Sequence, residues 1–356
     1  MTSERIARIQ ERLQQADADA ILLSALPDIR WACGFTGSNA LLLIRRDTAY
    51  FLTDGRYTTQ ALQEVKGIPQ YTGGPDLLQY AVAEGLLEGV QRLLYQADHL
   101  TCARLNAYRT QLPDVEWIGV DNWLCELTAI KDETALQAIR RAQALTERVF
   151  EEILPLIRPG VTERELAAEI IYRHLRMGAE RMAFEPIVAS GPNSALPHAR
   201  PTHRAFKRGD VILLDFGCYI DGYASDMTRV VTLGPPDPEI KTVFETVRAA
   251  QEAALTIAHA GITAAELDQA ARSVIEAAGW GDYFTHSLGH GVGLQVHEWP
   301  RIAANNPQPL PAGVVITIEP GIYLPGRFGI RLEDLIVLQE DGHENLTRTT
   351  RTLLQL

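Results

Sequence analysis

Four carboxylates and one histidine stand out between residues 215 and 333: Asp215 and Asp226, then Glu319 and Glu333, with His290 between the pairs. Each acid lies in or beside an apolar, strand-like run. An ionised carboxylate buried there costs several kcal/mol unless positive charge meets it. The surrounding segments offer no cluster of Lys or Arg, so four acids and one neutral imidazole call for cations. Two divalent ions balance four negative charges. The chemistry of such a centre is hydrolysis, in which the ions acidify water and polarise a carbonyl.

The elements that carry these groups must also bring them together. Asp221-Gly222 is a strong two-residue hairpin turn, because both positions tolerate positive φ. Its register pairs Ile220 with Tyr223, Cys218 with Ser225, and Gly217 with Asp226. Asp215 then shares a face with Asp226 as its diagonal neighbour, roughly 7 Å away. The second pair straddles Pro325-Gly326 and is centred on residue 326. His290 lies in SLGHGVG, whose glycines let backbone and metal approach closely. His286 and His297 flank it, and His198 ends the loop-like SGPNSALPH. The glycine-rich Gly289–Gly293 lacks the Gly-Lys-Ser/Thr ending of a phosphate loop. One buried acid in a strand is most often a satisfied structural group, but four at repeat-related positions argue for a site.

The repeat is internal to the C-terminal part. GVTERELA from Gly160 recurs as GITAAELD from Gly261, and GDVILLDFG from Gly209 recurs as GVVITIEPG from Gly313. In the first motif Thr followed three residues later by Glu is the capping box that opens a helix. Two related halves, each with a helix, a strand and a carboxylate pair, predict a pseudo-twofold α+β domain. The N-terminal part differs. Its short apolar runs at 20–23, 41–44, 49–53, 93–95 and 115–120 alternate with helical patterns such as 103–109 and predict an α/β domain. A long helical stretch begins near Thr134 and runs to Ile157, placing the boundary between domains 1–130 and 131–356.

Hydrophobic content of 46% and charged content of 22% are those of a globular protein, and a net charge of −12 argues against a nucleic-acid partner. No run approaches a membrane span, and the charged N-terminus lacks a signal-peptide core. The four cysteines, Cys33, Cys102, Cys125 and Cys218, show no Cys-x-x-Cys pairing and read as buried thiols in a reducing compartment. The expected location is the cytoplasm.

At LLDFGCYIDGYASDMTR, HSLGHGVGLQVHE, TIEPGIY and GIRLEDL the chain resembles the pita-bread metallopeptidases, the family of aminopeptidase P, prolidase and methionine aminopeptidase. SGPNSALPH matches the family's upstream histidine motif. IRWACGFTGSNALLLI and TDGRYTTQA resemble the N-terminal domain of creatinase and of the proline-specific branch. The resemblance implies a creatinase-like N-terminal domain followed by a pita-bread domain, with Asp215, Asp226, His290, Glu319 and Glu333 holding two metal ions. It makes His198 and His297 catalytic contacts to substrate and leaving group. Among the carboxylates, Glu319 is the candidate to shuttle the proton of the attacking water to the departing proline nitrogen. Tyr323 and Arg331 match positions that line and order the family's site, and His286, in the histidine run around His290, is a further candidate for binding substrate. Hard ligands favour Mn²⁺, with Co, Zn and Fe as alternatives. A homodimer or larger assembly is implied, with the N-terminal domain helping to close the active site.

The expected activity is hydrolysis of the N-terminal Xaa-Pro bond of small proline-containing peptides. Aminopeptidase P is the leading form and prolidase, which acts on dipeptides, the alternative. A non-catalytic binding module and a hydrolase or lyase of non-peptide substrates are the competing classes. Intact ligands weigh against the first and against a creatine-type amidinohydrolase.

Overall fold

A computed structural model describes residues 2–356. The chain divides into two compact units, up to Thr128 and from Ala129 to Leu356. The first is built on a six-stranded sheet of β1 (Ala20–Leu23), β2 (Ala40–Arg45), β3 (Ala49–Asp54), β4 (Gln70–Gly73), β5 (Arg92–Gln96) and β6 (Glu116–Val120), in the order β4-β3-β2-β1-β5-β6. The short link after Arg45 makes β2 and β3 an antiparallel hairpin, whereas β5 and β6, joined through the helix Cys102–Gln111, run parallel. The central strand β1 is buried throughout, as its sequence AILL requires. Polar β4, QYTG, is an edge strand that the apolar pattern did not signal. The N-terminal helix Thr2–Gln15 buries Ile6, Ile9 and Leu13 on one face.

In the second unit both capping boxes form. Thr162 and Thr263 each accept from the backbone of a Glu three residues on, and Glu165 and Glu266 return the bond. They open matched helices, Glu163–Arg176 and Ala264–Ala277. The strands are β7 (Arg181–Met182), β8 (Ile187–Ser190), β9 (Val211–Asp215), β10 (Cys218–Ile220), β11 (Tyr223–Ala224) and β12 (Thr228–Thr232) in the first half. The second half and the C-terminal segment add β13 (Gly289–Gly291), β14 (Glu298–Ile302), β15 (Val315–Ile318), β16 (Gly321–Leu324), β17 (Phe328–Arg331), β18 (Asp334–Gln339), β19 (Gly342–Asn345) and β20 (Leu354–Gln355). The long helix expected to reach Ile157 runs from Glu133 to Ile153 and tightens into a 3₁₀ turn at Leu154–Leu156, where Pro155 lacks the N–H to continue.

Two hairpins place the acids. Asp221 and Gly222 both have positive φ, at 49° and 79°, so the turn sets Ile220 against Tyr223 and Tyr219 against Ala224. The same register continues through the bond from Phe216 N to Met227 O into β9–β12, where Asp215 faces Thr228. The second hairpin pairs Leu324 with Phe328 and Gly321 with Arg331, and continues into β15–β18 with Ile318 against Asp334. Its register sets Glu319 directly opposite Glu333. The two halves therefore differ from the expectation of four repeat-matched acids. Asp215 and Glu319 are repeat mates, whereas Asp226 and Glu333 occupy different steps of their hairpins.

Among the described residues no helix is long and apolar enough to cross a membrane. The cysteines are all free, but only Cys33 and Cys218 are buried. Cys102 opens a surface helix and is exposed, and Cys125 is half-buried, so the reading of four buried thiols is corrected.

Candidate metal centre

The hairpins and the His290 strand converge. Ligand atoms of Asp226, His290 and Glu333 all lie within 4.8 Å of one another. Glu319 Oε1 is 3.3 Å and Asp226 Oδ2 3.7 Å from His290 Nε2. The glycines beside His290 permit this approach. A Cβ on Gly289 would lie 2.1 Å from the Thr317 carbonyl oxygen, and one on Gly291 2.3 Å from that of Trp299. His290 Nδ1 donates to its neighbour's carbonyl, Gly291 O, at 3.1 Å, which leaves Nε2 with its lone pair toward the acids. Burial also holds this imidazole below its ordinary pKa, in the neutral form that ligates.

The electrostatics are those of a site built for cations. Burial, with Asp215 and Glu319 close by, raises Asp226 well above the ordinary carboxylate range. Burial, with Asp226 and Glu319 close by, does the same to Glu333. Burial pushes Glu319 up to about 7, although Arg331 opposes the shift. Asp215 Oδ1 and Asp226 Oδ1 are buried with no hydrogen-bond partner among the described residues. Most buried polar atoms are satisfied, so two orphaned oxygens within one acidic cluster need an external partner. Hard donors, crowded negative charge and unpartnered oxygens fit divalent cations.

One cation does lie within the cluster, which the reading of the sequence as lacking one missed. Arg331, 3% exposed, bonds Asp215 through Nη2. It also donates from Nη1 to Tyr323 Oη at 2.7 Å and Pro197 O at 3.2 Å, and from Nε to Thr228 Oγ1 at 3.0 Å. Tyr323 in turn faces His286 Nε2 at 2.9 Å, and His286 Nδ1 donates to Ser287 O at 2.8 Å. Because that carbonyl can only accept, the phenol donates to Nε2. Every bond from Arg331 to Ser287 thus points the same way. Burial lowers His286 to about 4 and raises Tyr323 to about 12, which keeps both neutral.

The three groups expected to line the substrate site therefore form a support behind Asp215, their polar atoms already engaged with one another. Replacing Arg331 by Met in the metal-free protein is expected to lower stability by about 3–5 kcal/mol, because it removes one partner of a buried pair and leaves the Asp215 carboxyl without its guanidinium. Urea denaturation measures the change.

His198 and His297 are exposed, unlike the ligand set. The His297 ring packs edge-on against His290 at 4.3 Å between centroids. His198 is pinned beside the cluster by the bond from Arg331 to Pro197 O. Two threonines went unnoticed in the sequence. Thr228 Oγ1 donates to Glu333 at 2.7 Å, and Thr317 Oγ1 donates to Glu319 at 3.1 Å while accepting from His290 N at 3.1 Å. Their signal is a hydroxyl two residues from a candidate ligand, Thr228 after Asp226 and Thr317 before Glu319.

The family model for metallopeptidase family M24 matches residues 137–340, and that for the creatinase/prolidase N-terminal domain matches residues 5–130. The chain is similar to an Xaa-Pro dipeptidase of Pyrococcus horikoshii, with 34% identity over 354 residues covering 99% of each chain. Among solved structures it is similar to the Xaa-Pro dipeptidase from Bacillus anthracis, at 34% identity and a TM-score of 0.97 over 100% of both chains. It is also similar to the X-Pro aminopeptidase from Thermotoga maritima, at 39% identity and a TM-score of 0.91 over 97% of this chain and 100% of that one. A creatinase-type N-terminal domain thus precedes a pita-bread domain, and the chain belongs to metallopeptidase family M24.

Proposed function

We propose that this chain is a two-metal exopeptidase that hydrolyses the bond between an N-terminal residue and a following proline. The observation that carries the reading is the pair of orphaned buried oxygens on Asp215 and Asp226, inside a cluster flanked by two exposed histidines. Asp215, Asp226, His290, Glu319 and Glu333 would hold the ions, and their hard donor set supports Mn²⁺. Bound divalent ions supply Lewis acidity at the scissile carbonyl and acidify water.

The remaining roles belong to the protein. Glu319, 16% exposed at its side chain, is more accessible than Asp215 at 10% or Asp226 at 5%. It is the carboxylate placed to take a proton from water and return it to the departing proline nitrogen, with Thr317 Oγ1 holding it in place. His198 and His297 are free to donate to the carbonyl oxygen as charge develops there. An Xaa-Pro amide has no N–H, so the ring is recognised by shape.

Of the two exopeptidase forms, the dipeptidase has the stronger support, reversing the lean toward aminopeptidase P drawn from the sequence. Full-length relatives from Pyrococcus horikoshii and Bacillus anthracis carry that name. The Thermotoga maritima structure keeps the aminopeptidase as a second reading. A homodimer or larger assembly, implied by the family resemblance, and a cytoplasmic location, which free thiols fit, complete the proposal.

The test assays Mn²⁺-reconstituted protein on Ala-Pro and on an Ala-Pro-led pentapeptide side by side. Cleavage of the dipeptide alone is the expected result. First-bond cleavage of the pentapeptide makes the enzyme an aminopeptidase, and cleavage of neither overturns the function.

A further inference from the structure

We infer that Glu163 is the positioning residue for His198. Glu163 is the first residue of the helix Glu163–Arg176 and is fully buried. Its carboxylate gathers both feet of the loop that carries His198. Oε1 accepts from Ser190 N at 2.8 Å and Ser190 Oγ at 2.7 Å, and Oε2 accepts from Thr202 N at 2.9 Å and Thr202 Oγ1 at 2.6 Å. Asn193 Nδ2 bridges the two oxygens at 3.1 Å each. The crown of the loop is held from the other side by β17, through Gly329 N to Ser194 Oγ at 2.9 Å and Arg331 Nη1 to Pro197 O. His198 is left exposed at the top of a loop with little freedom of its own.

The acceptor must be a full carboxylate. Ser190 N and Thr202 N are backbone donors that cannot turn away, and each meets a different oxygen of Glu163. A glutamine there would present an NH₂ to one of them and release one foot of the loop.

The second half of the domain uses the same device. Asp268, fully buried on the helix Ala264–Ala277, accepts from Leu288 N at 3.0 Å and holds Arg272 at 2.7 Å. Arg272 reaches on to Phe284 O at 3.1 Å and His286 O at 2.9 Å. Each half thus ties its histidine-bearing segment to its helix through a buried carboxylate. Glu163 does so for a histidine that faces substrate under the peptidase reading, on which the catalytic part of this inference rests.

The experiment is a four-protein cycle on the metal-loaded enzyme: wild type, Glu163→Gln, His198→Ala and the double variant, assayed on Ala-Pro. A misplacement of about 1 Å can remove roughly 100-fold of rate. Glu163→Gln is expected to lower kcat by up to that factor with KM nearly unchanged, yet to change kcat little once His198 is absent. An equal loss in both backgrounds would show a purely structural role and overturn the inference. Thr202→Val, which removes one donor and keeps the charge, replaces Glu163→Gln in the cycle if the latter does not fold.

A second readout needs no turnover. The imidazole signals of His198 in the metal-free protein, assigned by their loss in His198→Ala, should broaden or shift in Glu163→Gln. Unchanged signals would refute the positioning role. Wild-type protein that cleaves no Xaa-Pro bond would sink the peptidase reading while leaving this measurement to decide on Glu163.

Discussion

Chelating the metal-loaded protein is expected to lower its melting temperature by about 10 °C, and the gap should widen between about pH 5 and about pH 8. Ligand at about a thousand times its dissociation constant stabilises by roughly 4 kcal/mol, and each kcal/mol moves a domain of this size by about 2–4 °C. The pH dependence follows from the acids. Burial raises Glu319 to about 7 and lifts Asp226 and Glu333 well above the ordinary carboxylate range. In the unfolded chain these groups titrate near about 4.

Below that pH the folded and unfolded states both hold their protons, and burial carries no penalty. As pH rises through about 7, the unfolded chain has already released its protons while the fold resists doing so. The metal-free protein therefore loses stability toward alkaline pH. Bound divalent ions favour the ionised carboxylates and remove that loss. Differential scanning fluorimetry with chelator and with added Mn²⁺ across the pH range measures both effects. A shift that is absent, or that does not change with pH, would mean that the ions bind away from these carboxylates.

How much of this could be read in advance depended on how local the determining interaction was. The Asp221-Gly222 turn fixed a register that holds from Ile220–Tyr223 through to Asp215–Thr228, because a two-residue turn leaves the flanking strands one way to pair. The two capping boxes were legible for the same reason, since donor and acceptor lie three residues apart. In the first unit the apolar runs gave β1, β2, β3, β5 and β6, and missed polar β4, whose pairing is set by its neighbour rather than its own pattern.

The supports of the site were not legible. The family resemblance marks Arg331 as a group of the substrate site, but nothing in GIRLED ties it to Asp215, and its partners lie up to 134 residues away at Pro197. Glu163 reads as a favourable acid in a first helical turn, while its partners Ser190 and Thr202 are 27 and 39 residues on. Ligand types are visible one residue at a time. The groups that aim them are defined only by folding.

Replacing Asp226 by Asn is expected to abolish turnover while making the metal-free protein more stable, and the two effects together identify what the acid is for. The change keeps side-chain shape and removes the charge. Turnover should fall by more than the roughly 100-fold seen when only a group behind a metal ligand is lost. In the metal-free fold, Asp226 suffers first from burial and then from Asp215 and Glu319, and its Oδ1 has no partner among the described residues to lose. Asn carries no charge, so it escapes the repulsion from Asp215 and Glu319 and pays less than an ionised carboxylate for burial. The variant's melting temperature without metal should exceed that of wild type at about pH 8, where the acid must ionise or hold a proton against the solvent. The two should converge below about pH 3, where Asp226 is protonated in folded and unfolded chains alike. Its metal-dependent shift should shrink at the same time. An acid retained for the architecture behaves in the opposite way, because losing it removes bonds that the fold relies on. Stability gained with activity lost would mean that the carboxylate is kept, at the expense of the empty fold, for a cation. An Asp226→Asn variant that kept full activity, or that melted well below wild type without metal, would show Asp226 to be a structural acid.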